Sequence, residues 1–533
     1  MNIALSILAL ALQATPPPPP PVLATPAPSP AASAAPSPSA GPGVLVASPA
    51  AADLHPSQSQ ALTVANATGT IGAQLDTPVA TLSVDQTSRT VTLSASTQTG
   101  RATLTITDAS GASVQVPVRV AMDAGVVPST LTLRVTGNTV DPAWLQTQVQ
   151  KIVTQSAQLQ SGATMQLSPF GVPGSFAPGS TASVPVPIHI AGGDQYYDVD
   201  ATPAVAVTNV EAPPFVPGLL FYDDDPEKIV ADGVLYRNDV TASTPAVLYF
   251  YHQNSGDRRR MLVVLRATQA PASVQLIDAS AGPNADVMTV GHNVSRDFLL
   301  QKPQNEGVVV DVNPGTPYVA DRFDMQNLDG AAGSIGVHVL SGSSVQVSVV
   351  AVPESVTDAE VSSYLDQTPL PGDGHRRAGA FRIDQYGNEM LAYSAGGADA
   401  NTQYGANTPP PADASAGHDY GDYGVLRTLT FDLSNPTPQA ATVYLYERPM
   451  GGVVRSSFLV NGSLVQVGCA RLPERYQIGQ PFSLPPGSNS RIVVQTMTDG
   501  GSNYPLEVGV TASPPLPSTP AMFSADGCFP KAS

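Results

Sequence analysis

Residues 80–122 read ATLSVDQTSRTVTLSASTQTGRATLTITDASGASVQVPVRVAM, with apolar and polar residues alternating at period two. Side chains of an extended strand point alternately to opposite faces, so this pattern predicts half-buried strands. Val91 and Leu93 mark one buried face, Leu104 and Ile106 another, and Val114, Val116, Val118 and Val120 a closing strand. DASG, 108–111, is a turn between the last two. The whole chain of 533 residues shares this character: it holds 45 Gly and 53 Pro, the punctuation of many short strands. Aromatic residues make up 6% with a single Trp, so the cores must be filled by Val, Leu and Ile. The expected fold class is mainly β, with tandem β-sandwich domains and one small α+β domain. At roughly 150 residues per domain the length allows about three or four domains.

Charge narrows the partners. Forty-two acidic against 24 basic residues give a formal net charge of -18. Nucleic acid needs Lys and Arg against its phosphates, and an anionic membrane surface repels such a chain. No nucleic-acid partner is expected. MNIALSILALALQA, 1–14, fits the apolar core of a secretory signal and is too short to span a bilayer, although no Lys or Arg precedes it. No later run approaches 18 apolar residues, so no transmembrane segment is expected after signal removal. Residues 15–57, beginning TPPPPPPVLATPAPSP, read as a disordered Pro-rich linker of polyproline II character. Cys469 and Cys528 are the only cysteines, and in an exported chain they are expected to form one disulfide that ties the C-terminal tail to the last domain.

The first folded unit is placed at 58–125. Its stretch GRATLTITDASG (100–111) resembles the small immunoglobulin-like modules of bacterial surface proteins. The second, 126–212, is read as the α+β domain. Asp141 suits a helix N-cap and Pro142 the first helical residue, with Leu145, Val149, Ile152 and Val153 following at helical spacing. Trp144 in the first turn either packs on the sheet or offers its ring to a carbohydrate. Two further stretches repeat in order: 251–282 matches 420–452, and 308–341 matches 482–513, each running strand, turn, strand around Pro and Gly. They predict two related β-sandwiches, at 213–353 and 375–533, joined by a linker at 354–374.

Three groups of residues offer chemistry. FYDDDPEKIVADG (221–233) concentrates acids, and Asp223, Asp225 and Glu227 would suit Ca2+, which takes 6–8 oxygen ligands. The spacing lacks the D-x-D-x-D-G of the twelve-residue calcium loop, so a solvated acidic turn is the competing reading, with no cofactor. SAGGADANTQYGANTPPPADASAGHDYGDYG (394–424) shows no strand pattern, and a long insertion of that kind is usually functional or disordered. Tyr404, His418, Asp419, Tyr420, Asp422 and Tyr423 would there form a site for a polar ligand such as a glycan. The seven histidines show no paired metal-site spacing, and no nucleophile elbow, P-loop or dinucleotide fingerprint occurs. No catalytic residues are nominated.

LFYDDDPEKIVADGVLYRNDV (220–240), AVLYFYHQNSGDRRRMLVVLRA (246–267), DYGDYGVLRTLTFDL (419–433) and SSFLVNGSLVQV (456–467) carry a second resemblance. Over about 213–515 the chain resembles a group of uncharacterised secreted bacterial β-rich proteins. Some relatives carry a domain like the copper amine oxidase N-terminal domain, which is not seen here. The resemblance implies an exported β-rich envelope protein and brings no activity with it. The expectation is a non-enzymatic cell-envelope or surface protein, located in the periplasm, at the cell surface or outside the cell. Its role would be structural, adhesive or glycan-binding, with an envelope polysaccharide or surface protein as partner. The alternatives are a secreted carbohydrate-active enzyme and a calcium-stabilised wall-binding module.

Overall fold

Ala80–Asp85, Thr90–Ala95, Gly100–Asp108 and Ser113–Val120 are strands in the computed structural model of the chain, which describes residues 44–384, 386–518 and Cys528. The expected signal segment 1–14 and residues 15–43 of the expected linker lie outside the described residues. The described chain is mainly β, arranged in several separate open sheets. None of its helices is long and apolar enough to cross a membrane.

The chain divides into two units, the first holding the described residues up to Val126 together with Leu159–Thr164 and Ile190–Val199. Two four-stranded sheets face each other across its core. Val91, Leu93, Leu104, Ile106, Val116, Val118 and Val120 are all buried there. The linker expected to reach residue 57 stops short of that. Val46–Ser48 pairs with Ser59–Ala65, and Ala52–Leu54 runs parallel to Ser113–Val120. Leu45, Ala47, Ala52 and Leu54 are buried, so a short apolar alternation inside a Pro-, Ala- and Ser-rich stretch is enough to add two strands.

The second unit holds the rest of the described chain. Its ten-stranded sheet runs Thr181–Pro185, Ala204–Asn209, Thr130–Thr136, Gly307–Val312, Ala272–Asn284, Gly330–Gly342, Ala246–Asn254, Leu219–Asp223, Ala378–Arg382, with Lys228–Ile229 pairing beside Ala246–Asn254. Within the expected α+β domain, Thr130–Thr136, Thr181–Pro185 and Ala204–Asn209 are therefore one wing of a larger sheet, joined where Val135 pairs with Val308 and Thr136 with Gly307, while Ile188–Ala191 lies in a separate three-stranded sheet. A four-stranded sheet covers part of it, and Phe221, Leu248 and Phe250 meet Met261, Val263, Val347 and Val349 between the layers. The C-terminal part adds two further sheets around Phe431, Leu445, Phe458, Val494 and Val508.

Both parts reuse one pairing scheme. Arg259–Ala267 pairs with Tyr318–Met325 as Arg427–Ser434 pairs with Asn489–Met497. Ala272–Asn284 pairs with both Gly307–Val312 and Gly330–Gly342, as Ala441–Pro449 pairs with Phe482–Leu484 and Leu506–Thr511.

Two helices run for 15 residues each. The α1 helix, Pro142–Ser156, begins as its sequence predicts, with Asp141 Oδ1 accepting from the backbone N–H groups of Ala143 and Trp144. The α2 helix, Val287–Gln301, has no strong sequence signal, because VMTVGHNV is rich in residues that prefer strands. Burial of Met288, Val290, Val294, Phe298 and Leu299 overrides that preference.

Cys469 and Cys528 form the disulfide, closing a separation of 59 residues. A loop of that size is worth about 4 kcal/mol by chain-entropy reasoning. Cys528→Ser is expected to lower stability by roughly that amount in chemical denaturation, and an unchanged midpoint would show that the cross-link contributes nothing.

Candidate functional site

The six loop residues expected to hold a ligand go to different places. Tyr404 is fully buried, its hydroxyl 3.4 Å from Thr496 Oγ1 and its ring 5.8 Å from that of Tyr504. Asp422 is buried and accepts from Arg427, from the Tyr386 hydroxyl at 2.9 Å and from the Gly405 N–H at 2.8 Å. Asp419 is buried and accepts from the Tyr423 N–H, and burial holds its carboxyl far above the usual range. Tyr423 packs its ring against Tyr222 and Tyr249 and donates to the Ser502 carbonyl. These four hold the loop against the sheets, and Ala400–Tyr404 is itself a strand paired with Leu506–Thr511. Only His418 and Tyr420 stay exposed, stacked on each other at 4.9 Å.

The acidic stretch is likewise occupied. Asp223 is buried against His252 Nε2 at 2.9 Å, while His252 Nδ1 lies 2.9 Å from the Pro226 carbonyl. Both ring nitrogens face acceptors, which favours the imidazolium and holds its pKa up against the cost of burial. Asp225 accepts from the Asp373 N–H, and Glu227 pairs with Arg377 at 2.7 Å. Among the described residues no group of three or more His, Cys, Asp or Glu is arranged to hold a metal ion.

The structure opens a candidate site elsewhere, along α1. Leu145, Val149 and Val153 form the buried stripe of that helix. Trp144, Gln148 and Lys151 fall at i, i+4 and i+7 on another face, and all three line a cavity of about 680 Å³. α2 contributes Asp297, Leu300 and Gln301, and Gln304 and Glu306 follow it in the chain. Asp278 enters from the large sheet, and Leu459, Gly462 and Gln495 from the C-terminal part. Gln148, Lys151 and Asp278 also line a second cavity of about 490 Å³, so the two cavities adjoin along this groove.

Electrostatics set its character. Lys151 Nζ donates to Asp278 Oδ2 at 3.0 Å and to Asp321 Oδ1 at 2.9 Å, which keeps the ammonium charged despite burial. Burial first, and then Asp321, pushes the Asp278 carboxyl up to about 6. Glu306 is 4% exposed and accepts from the Asp141 N–H at 2.6 Å. Burial pushes its carboxyl up to about 7. Trp144 Nε1, Gln301 Oε1 and Asp278 Oδ1 sit in the walls with no protein hydrogen-bond partner. Of these residues only Trp144 carried a signal in the sequence: a lone Trp next to the buried stripe of a well-capped helix.

No family model matches the chain, and no curated protein does. Among solved structures, an endo-fucoidan hydrolase of glycoside hydrolase family 107 is similar at 14% identity and a TM-score of 0.16, over 32% of this chain and 34% of that one. Tripeptidyl peptidase 2 is similar at 8% identity and a TM-score of 0.14, over 89% of this chain and 34% of that one. InvD of Yersinia pseudotuberculosis is similar at 12% identity and a TM-score of 0.14, over 56% of this chain and 97% of that one. The chain thus spans about a third of the length of the first of these, and at such TM-scores the likeness identifies neither fold nor function.

Proposed function

We propose that this is an exported, non-enzymatic envelope or surface protein that holds a polysaccharide in the groove along α1. The observation that carries the reading is the lining: Trp144 with Gln148, Gln301, Gln304 and Gln495 on one cavity, adjoining a second. An indole face covers the apolar face of a sugar ring, and a carboxamide both donates to and accepts from sugar hydroxyls. Two adjoining cavities suit a polymer better than a small metabolite. The disulfide suits an oxidising compartment outside the cytoplasm. We read the paired sheets as immunoglobulin-like β-sandwiches, a scaffold that presents such a groove rigidly. Binding is favoured over hydrolysis because Asp278 and Asp321 are both engaged by Lys151 rather than left to act on a glycosidic bond.

The test is retention of the full chain on insoluble polysaccharides and envelope material, beside Trp144→Ala. The variant is expected to bind about tenfold more weakly or worse, a loss of about 1.4 kcal/mol or more. As the only tryptophan, Trp144 also reports directly: ligand should change its emission. Equal retention of parent and variant would remove the groove from consideration. Release of reducing ends from a bound polysaccharide would replace the binding reading with an enzymatic one.

A further inference from the structure

The groove is short of positive charge. Asp141, Asp278, Asp297 and Glu306 line the larger cavity against one cation, Lys151, which is already shared with a further acid, Asp321. Asp297 has Arg296 at 2.7 Å, and Asp141 caps α1. Glu306 has no such compensation: among the described residues no Lys, Arg or His forms an ion pair with it. Asp278 Oδ1 and Gln301 Oε1 are acceptors without a protein donor, and Gln301 is only 7% exposed. A buried carboxyl without a counter-charge, beside unpaired acceptors, is the complement of an ammonium group, which has three donors and no acceptor.

We propose that the groove selects a polysaccharide built from amino sugars with free amines, its ammonium group lying at the wall formed by Asp278, Gln301 and Glu306. This rests on the glycan reading above and adds the class of glycan. A neutral sugar would give the Glu306 carboxyl nothing that favours its ionised form, and a uronic or sulfated one would oppose ionisation further, whereas an ammonium group favours it. The N-acetylated form of the same amino sugar has an amide that carries no charge, so it makes a matched control.

The probes are hexamers of β-1,4-linked glucosamine, of N-acetylglucosamine and of galacturonic acid. They are titrated against the full chain at about pH 6, where glucosamine amines are substantially protonated and the raised carboxyls can be drawn into the charged form. Trp144 emission and calorimetry give the affinities. The glucosamine hexamer is expected to bind about tenfold more tightly than its acetylated counterpart, and the galacturonic acid hexamer most weakly. Glu306→Gln keeps an oxygen for the Asp141 N–H and should erase the preference while retaining the acetylated hexamer. Melting of this variant beside the parent checks that it is folded. Equal affinity for the glucosamine and acetylated hexamers would overturn the inference and leave the glycan reading standing. So would a preference that survives Glu306→Gln, because the net charge of the whole chain would then account for it. Failure of all three hexamers to bind would overturn the inference; loss of polymer retention as well would take the glycan reading with it.

Discussion

Thermal melting of the second unit is expected to give a higher Tm near pH 5 than near pH 8, by about 5 °C or more. The folded chain keeps protons that the unfolded chain gives up. Burial pushes Glu447 up to about 8 and Asp224 up to about 7, with Glu306 at about 7 and Asp278 at about 6. In the unfolded chain these carboxyls ionise near about 4. Between those limits the native state binds more protons, so stability falls as the pH rises. The contribution is fully present below about pH 4 and is lost as the pH passes through the folded values. For a fully buried group, each tenfold gain in proton affinity on folding is worth about 1.4 kcal/mol. His252 and His292 act in the same direction. Each is buried against an aspartate, Asp223 and Asp499 respectively, and has its pKa raised, so its stabilisation is lost as the pH rises above the ordinary histidine range. The carboxyls of this unit held low by hydrogen bonds, such as Asp413 and Asp432, oppose this only in strong acid. A Tm that is flat or rising from pH 5 to pH 8 would show that these groups are solvated in solution. Glu447→Gln should flatten part of the slope, because it removes a fully enclosed carboxyl whose two oxygens lack a protein hydrogen-bond partner.

Arg427→Ala is expected to cost about 3–5 kcal/mol, the usual penalty for stranding one member of a buried ion pair. Arg427 is buried, bonds Asp422 and Glu389, and lies with its guanidinium 4.8 Å from the Tyr386 ring centre. Its removal leaves the Asp422 carboxylate enclosed with only the Tyr386 hydroxyl and the Gly405 N–H. The loop from 405 to 423 should then loosen, which hydrogen exchange at those amides would read. Adding Asp422→Asn to Arg427→Ala should recover part of the loss, because it removes the stranded charge. A single-variant cost below about 1 kcal/mol would mean that water reaches the pair and that it behaves as a surface bridge.

This pair shows why the loop's sequence did not reveal where its residues go. Tyr, Asp and Gly in a stretch without alternation describe a binding loop and a buried strap equally well. Composition reports which groups are present, whereas their burial depends on what packs over them. Asp422 meets Arg427 only five residues on, but both are enclosed by strands far away in the chain. The acidic stretch at 221–233 behaves similarly, with His252 and Arg377 taking its carboxylates from distant parts of the chain.

Local order, by contrast, was legible from the residues alone. The alternation in 80–122 needs only the two-residue period of a strand, and the start of α1 needs only a capping carboxylate before a proline. The recurrence of turn and strand between 251–341 and 420–513 is also a pattern along the chain, and the strand pairings of the two parts follow it. Such features depend on neighbours a few residues apart, so the sequence by itself determines them. The groove does not have that property. Trp144, Asp278, Glu306, Leu459 and Gln495 come from widely separated segments, and they meet because one wing of the large sheet carries α1 to where α2 and the C-terminal strands converge. Hydrophobic burial drives that convergence without regard to sequence distance, and desolvation then sets the charge of whatever acids it encloses. The position of the site and the ionisation of Glu306 and Asp278 were therefore decided by tertiary structure alone.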